Sequence, residues 1–352
     1  MLIKMDEKIY YNAINIALGS DYRKLGKLIE KSGCWEIAWE NLGVAEKNKI
    51  NPEKLWEKLL RSKIELTLIN EKKYPSLLRE ISFPPFGIYS IGNFSALNQK
   101  YKISIVGTRK ATEQGKEIAR EFARNLGQNN FAIISGLALG IDAAAHSGAL
   151  DANAPTIAVL ANGLDHFYPS YNSKLAEKII SSNGLIVSEY PIGSPTLPYR
   201  FIERNRIISG LSAGTLVIEA PEGSGSLATT RFALDQNREI FVTPGPLKHP
   251  NFSGSHKLIR LGAILVTSPE EIIESLAPEI LEGKNSPLNQ LNLLNSLEEK
   301  RIYEILKNSA KPITVDKIIE LSNLNAKIIN QTLTFLTIKN IISETEAGFV
   351  VL

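Results

Sequence analysis

The chain has 352 residues, room for two or three domains, and its 43% apolar and 22% charged content is that of an ordinary globular protein. A single cysteine, Cys34, excludes a disulfide framework and a cysteine zinc site, and no apolar run reaches the roughly 18 residues of a membrane helix. The net charge is only +3, and the excess lies in residues 1–75, with 14 basic and 11 acidic side chains, so any polyanion site must come from local clustering. The early Asp6 and Glu7 are unlike a secretory leader, and a protein of the reducing cytoplasm with no membrane contact is expected.

Residues 1–63 read as a small helical domain, with apolar groups such as Ile9/Ala13/Ile16 and Trp35/Ala38/Trp39 at helical spacing. Gly19, Gly33 and Gly43 punctuate it, and Pro52 stands where a first helical turn favours it. From residue 64 to about 280 the texture changes. The runs IELTLI, ISIVG, FAIIS, TIAVL, GLIVSEY, GTLVIEA, REIFVTPG and AILVTS alternate with helical segments. Near-continuous apolar strands separated by helices predict a doubly wound α/β domain, Rossmann-like, with a mostly parallel sheet covered on both faces. Residues 277–290, APEILEGKNSPLNQ, carry linker composition, which places a linker at 281–292. Residues 293–352 then read as three helices and a terminal hairpin turning near Ala347 and Gly348, a winged-helix-like unit.

Strand ends hold the unusual residues, and in such sheets ligands sit outside those ends. After ISIV come Gly107, Thr108, Arg109 and Lys110, without the second and third glycines of a dinucleotide fingerprint. The next strand ends in Ser135 and Gly136, not in the acidic residue that would hold a ribose. A turn of backbone amides, a helix start and a cation make an anion site; the plain alternative is a tight turn with a solvated arginine. In the second loop, Asp142 and His146 stand four apart on one helix face, and a structural role at the helix start outweighs a catalytic pair, since no nucleophile motif accompanies them. The third loop offers Phe201, Arg204, Asn205 and Arg206, guanidiniums for phosphate and a ring for a base, unless the ring is core and an arginine pairs with Glu203, Glu219 or Glu222. The fourth, Gly223, Ser224, Gly225 and Ser226, opens onto a helix and can donate N–H and hydroxyl groups to an anion, but it is not a Walker A loop. Together these loops suit a sugar–phosphate backbone bound without sequence reading.

The ordered set YPSLLREISFPPFGIYSIGN, IVGTRKAT, SGLALGIDAAAH, YPSYN, SEYP, RNRIISGLS, SGSLATTRFAL and PG, over about residues 70–270, resembles the DNA-processing protein A family, DprA, also called Smf. The resemblance implies a dimer, formed through the Rossmann-like domain, that binds single-stranded DNA, protects it and loads the RecA recombinase onto it during natural transformation. It implies no nucleotide cofactor and no enzymatic activity. It places the DNA pocket at Arg109 and Phe201, with Arg204, Arg206 and Gly136 around them, and it likens the N-terminal helices to a SAM-like module. One departure is His256 in GSHKLI, where many relatives carry asparagine. The third helix of the C-terminal unit shows Asn325, Lys327, Asn330, Gln331 and Thr334, few cations for a duplex reader, which favours a protein-contact role.

Two rival readings remain at this level. A phosphoribohydrolase-like, nucleotide-hydrolysing enzyme would need a glutamate where this chain has Thr230 or Arg231. A transcription regulator would need a cation-rich third helix in the C-terminal unit.

Overall fold

A computed structural model of the chain describes residues 7–48, 50–284, 296–309, 311–338, 341–345 and 347–351. The chain divides into two compact units, one ending at Leu276 and the other beginning at Ala277.

The first unit opens with α1 (Glu7–Ala17), α2 (Tyr22–Ser32), α3 (Trp35–Asn41), α4 (Val44–Lys47) and α5 (Pro52–Arg61). Their starts follow capping chemistry: Asp21 accepts from the Arg23 and Lys24 amides, and Asn51 from the Lys54 amide with Pro52 behind it. A nine-stranded sheet follows: β1 (Glu65–Leu68), β2 (Gly87–Gly92), β3 (Tyr101–Gly107), β4 (Phe131–Ser135), β5 (Thr156–Val159), β6 (Leu185–Ser188), β7 (Gly214–Ile218), β8 (Glu239–Val242) and β9 (Ile264–Leu265). Its order is β1-β2-β6-β5-β4-β3-β7-β8-β9. All neighbours from β6 to β9 are parallel, so those strands end on one rim, while β1–β2 and β2–β6 are antiparallel. The fold is therefore the expected doubly wound α/β sheet, with an antiparallel edge built on a strand, β2, that the apolar runs did not announce.

Helices α6 (Ser76–Arg79), α7 (Glu113–Gln128), α8 (Ile141–Asp151), α9 (Ser173–Ser181), α10 (Pro198–Gly210), α11 (Gly225–Asp235), α12 (Ser253–Arg260) and α13 (Pro269–Leu276) complete the unit. Strand residues alternate between two core layers. Ile157, Val159, Leu185 and Val187 join Val106, Ile134 and Val217, whereas Ala158 and Ile186 join Tyr11, Trp35 and Leu59 from the N-terminal helices. The Tyr89 hydroxyl on β2 donates to Asn12 Oδ1 on α1 at 2.9 Å. Helices and sheet thus share one compact unit, and the change of texture at residue 64 falls inside it.

The second unit contains α14 (Pro278–Lys284), α15 (Leu297–Lys307), α16 (Val315–Ser322), α17 (Ala326–Ile338), β10 (Ile342–Thr345) and β11 (Gly348–Val351). The expected linker begins within a helix: Pro278 at the helix entry and Glu279 in the first turn favour one there, and it runs to Lys284. The rest of the expected linker, from residue 285, lies outside the described residues. The three helices close on Ile302, Leu306, Ile318, Leu333 and Leu336, and the hairpin gains a bridge between Ile313 and Phe349.

Candidate nucleic-acid interface

The chain winds outward from β3 through β4, β5 and β6, then returns through α10 to β7 on the other side of β3. The strand order reverses there, which is where open α/β sheets leave a crevice beyond the carboxyl ends. A cleft of about 340 Å³ occupies that position. Gly107 to Arg109, Ala138 and Asp142, Phe201, Arg204 and Asn205, and Ser224 to Ser226 line it, so all four singled-out loops meet there.

Backbone demands explain the turn after β3. A Cβ on Gly107 would stand 2.0 Å from the Ile218 carbonyl oxygen, so only glycine allows β3 and β7 to end side by side. The Thr108 amide donates to the Glu219 carbonyl at 2.8 Å, and the Lys110 amide donates to Thr108 Oγ1 at 3.2 Å. This fold of the turn carries Arg109 and Lys110 outward, both exposed. Among the described residues no carboxylate pairs with either. The Arg109 guanidinium lies 5.0 Å from the centre of the Phe201 ring. Tyr168 approaches the same ring at 5.6 Å with a 57° tilt, and Leu139 and Gly136 complete a small recess beside it.

Below this rim lies a buried floor. Arg204 is 4% exposed and donates to the Gly136 carbonyl at 2.9 Å, to the Val159 carbonyl and to Asn205 Oδ1 at 3.2 Å. Asp142 accepts from the Gly136 and Ala138 amides at 3.1 and 3.4 Å. Burial pulls the Arg204 guanidinium down to about 10, Asp142 opposes that shift, and the group remains a cation at neutral pH. Burial likewise raises the Asp142 carboxyl, against the attraction of Arg204. A Cβ on Gly136 would meet Arg204 Nη2 at 2.6 Å and Asp142 Oδ2 at 2.8 Å, so the glycine makes room for the pair. Asn205 ties α10 to the fourth loop by donating to the Gly225 carbonyl at 3.2 Å. In that loop Gly223 has φ +77°, and Ser224 caps α11 by accepting from the Ser226 amide at 3.2 Å.

The structure separates some residues that the sequence grouped. Arg206 points away from the cleft: it donates to both Glu189 carboxylate oxygens at 2.8 and 2.6 Å and to the Phe83 carbonyl at 2.9 Å. Two positions along a helix is 200° of rotation, so Arg204 and Arg206 cannot serve one cleft. Ser135 is buried, and its hydroxyl donates to the Ile105 carbonyl at 2.7 Å inside the sheet. Asp142 and His146 do not bond each other; His146 Nδ1 is 2.7 Å from Thr156 Oγ1, and burial lowers its pKa to about 3.

Two further residues have roles that the sequence did not show. Tyr168 belongs to YPSYN, where nothing local suggests that it meets a ring 33 positions later. Glu219 holds a left-handed backbone, φ +52°, at the end of β7. Its carboxylate accepts from the Thr112 amide at 3.0 Å, from the Thr112 hydroxyl and from Asn251 Nδ2 at 2.8 Å, joining three loops of the rim. Where a hydrolase would carry its glutamate, the Thr230 hydroxyl donates to the Leu227 carbonyl at 2.9 Å and Arg231 lines a different groove. Among the described residues no group of three or more His, Cys, Asp or Glu could hold a metal ion, and no helix is long and apolar enough to cross a membrane.

A family model, described as DNA recombination-mediator protein A, matches residues 65–277, which contain the whole sheet and the cleft. Protein Smf of Escherichia coli is 45% identical over 203 residues, which are 58% of this chain and 54% of that protein. DNA processing protein DprA of Bacillus subtilis is 40% identical over 208 residues, 59% of this chain and 70% of its own length. The chain therefore spans about half the length of the first relative and more of the second. Among solved structures, DprA from Streptococcus pneumoniae is similar at TM-score 0.62 and 35% identity, covering 69% of this chain and 82% of that one. DNA processing protein A from Helicobacter pylori, whose structure concerns its single-stranded DNA binding mode, matches at TM-score 0.56 and 30% identity, covering 62% of this chain and 97% of that one. A model match over more than half of the chain, carried by the strands and loops that build the cleft, makes this protein a member of the DNA recombination-mediator protein A family.

Proposed function

We propose that the protein binds single-stranded DNA without sequence preference in the switch-point cleft, and that it makes and breaks no covalent bond. The observation that carries this reading is the pairing of Phe201 with Arg109 at the mouth of the cleft. A ring face accepts any base, because every base has a π-face, and a cation beside it meets the phosphate that the base brings along. Thr108, Lys110 and the Ser224–Ser226 loop supply further polar groups, which position a backbone but read no base edge. Arg204 and Gly136 act beneath as supports.

Family membership extends the proposal: protection of single strands, delivery to the RecA recombinase in recombination and natural transformation, work in the cytoplasm as a homodimer through the Rossmann-like domain, and no nucleotide cofactor. We assign the C-terminal unit a winged-helix-like form and a protein-contact role. Exposed Ile328, Phe335 and Ile338 on α17, beside Lys327 as its cation among the described residues, support contact with protein over duplex reading.

Titration of labelled thymidine oligomers by fluorescence anisotropy tests the core of this reading. Phe201→Ala should weaken binding by about 1–3 kcal/mol, the worth of one stacked base. Arg109→Ala should weaken it and flatten the salt dependence by about 0.7 in slope, the value for one phosphate of a single strand. Wild-type affinity and slope in both variants, or a preference for duplex over single strands, would overturn the assignment.

A further inference from the structure

Helix α10 presents Phe201, Arg204, Asn205 and Ile208 to the switch-point cleft. At 100° per residue its other flank carries Tyr199, Glu203 and Arg206. That flank walls a second cleft, about 680 Å³, closed on its far side by the α1–α2 turn and by Phe83. Such a volume is in the range of small-molecule sites, about 300–1,000 Å³.

Two rings stand open to solvent in this cleft, Phe83 at 60% and Tyr199 at 52% exposed. Phe83 is held edge-on by Tyr22 at 5.8 Å, and Tyr22 is stacked on Phe86 at 4.9 Å, so the ring is braced from behind. The charges are unevenly engaged. Glu189 is taken by Arg206, Glu203 accepts from the Tyr190 hydroxyl at 3.0 Å, and Asp21 caps α2. Among the described residues, Arg23 at the exposed mouth has no carboxylate partner. Arg200, only 4% exposed, leaves its Nε without a hydrogen bond, and Ser20 Oγ, also shielded from solvent, lacks one as well. Buried polar atoms are ordinarily satisfied, so two unsatisfied ones lining one cleft point to a polar ligand. Ile202, on the first cleft's side of α10, is 55% exposed.

We propose that the second cleft is a further base-and-phosphate subsite, filled by nucleotides of the same single strand once it has passed the Phe201–Arg109 pair. The inference rests on the reading of the first cleft given above. A base stacks on Tyr199 or Phe83, a phosphate meets Arg23, and sugar or phosphate oxygens satisfy Arg200 and Ser20. The strand would thereby be held by the N-terminal helices as well as by the sheet.

The test is a ladder of thymidine oligomers from about 4 to about 16 nucleotides, the span of common single-strand site sizes, titrated against the full chain and four variants. Phe201→Ala should weaken binding at every length. Tyr199→Ala should leave the shortest oligomers unchanged and weaken the longer ones by about 5- to 150-fold, the fold-change equivalent to one lost stack. Phe83→Ala should behave likewise. Because Phe83 also braces Tyr22, Arg23→Ala serves as the variant that touches no core, and it should lower the salt slope for long oligomers alone by about 0.7. If Phe201→Ala weakens all lengths while Tyr199→Ala and Arg23→Ala bind long oligomers as the parent does, the second subsite is overturned and the first stands. If the parent binds no oligomer, or Phe201→Ala binds like the parent, both fall.

Discussion

The rim and the floor of the switch-point cleft are built from the same residue types and do opposite work. Arg109 on the rim is exposed, set over a ring and, among the described residues, unpaired with any carboxylate. Arg204 on the floor is buried, faces Asp142 and spends its donors on backbone carbonyls. A guanidinium in water keeps its capacity to meet a phosphate, whereas a desolvated one is committed to the groups that made its burial tolerable. An arginine count near a strand end therefore says little about ligand binding until solvent exposure is known.

Substitutions on the two levels should separate cleanly. The largest effect is expected at the floor: Arg204→Ala leaves Asp142 buried without its cation and should lower the stability of the sheet unit by about 3–5 kcal/mol, read as a shift of the urea midpoint. On the rim, Phe201→Ala should cost about 1–3 kcal/mol in DNA affinity while the urea midpoint moves less than in Arg204→Ala, because the half-buried ring leaves no buried charge behind. A midpoint shift as large as that of Arg204→Ala would erase the distinction. The smallest effect concerns protons. His146 has its folded pKa, about 3, below its unfolded value, so the folded state resists the proton that the unfolded state accepts. Its stabilising contribution is complete above about pH 6.5 and is lost on acidification at about 1.4 kcal/mol per pH unit. His146→Gln should remove that slope from urea midpoints measured between pH 7 and pH 5. Asp142, whose folded pKa burial raises, slopes the opposite way, and the comparison with the variant isolates the histidine.

The parallel strands were legible because burial on both faces writes them as unbroken apolar runs. β2 was not, since GIYSIG mixes glycine, serine and tyrosine, follows two prolines and pairs antiparallel at the edge. Arg109 and Phe201 were legible as odd residues at a turn and a helix start. Their mutual contact was not, because it depends on α10 crossing back from β6 to the rim beside β3. The fate of Arg206 was hidden for a similar reason: its partner Glu189 follows β6, 17 positions earlier, and only the fold brings the two together. Ser135 looked available because a strand end was assumed to be open, yet its hydroxyl bonds across to the neighbouring strand. Residue type and spacing thus indicate which loops converge, and tertiary burial decides which side chains in them remain free.

The Glu219 carboxylate gathers Thr112 and Asn251 around a left-handed residue at the end of β7. An unpaired polynucleotide is a limp polymer and surrenders much of its freedom when it is laid along a surface. A receptor whose own loops also had to be ordered at that moment would bind more weakly by the sum of both losses. With the loops cinched by one carboxylate while the chain folds, the ordering penalty on encounter falls on the nucleic acid alone, and Glu219→Ala should show itself as a looser grip on DNA even though the glutamate repels every phosphate that approaches it.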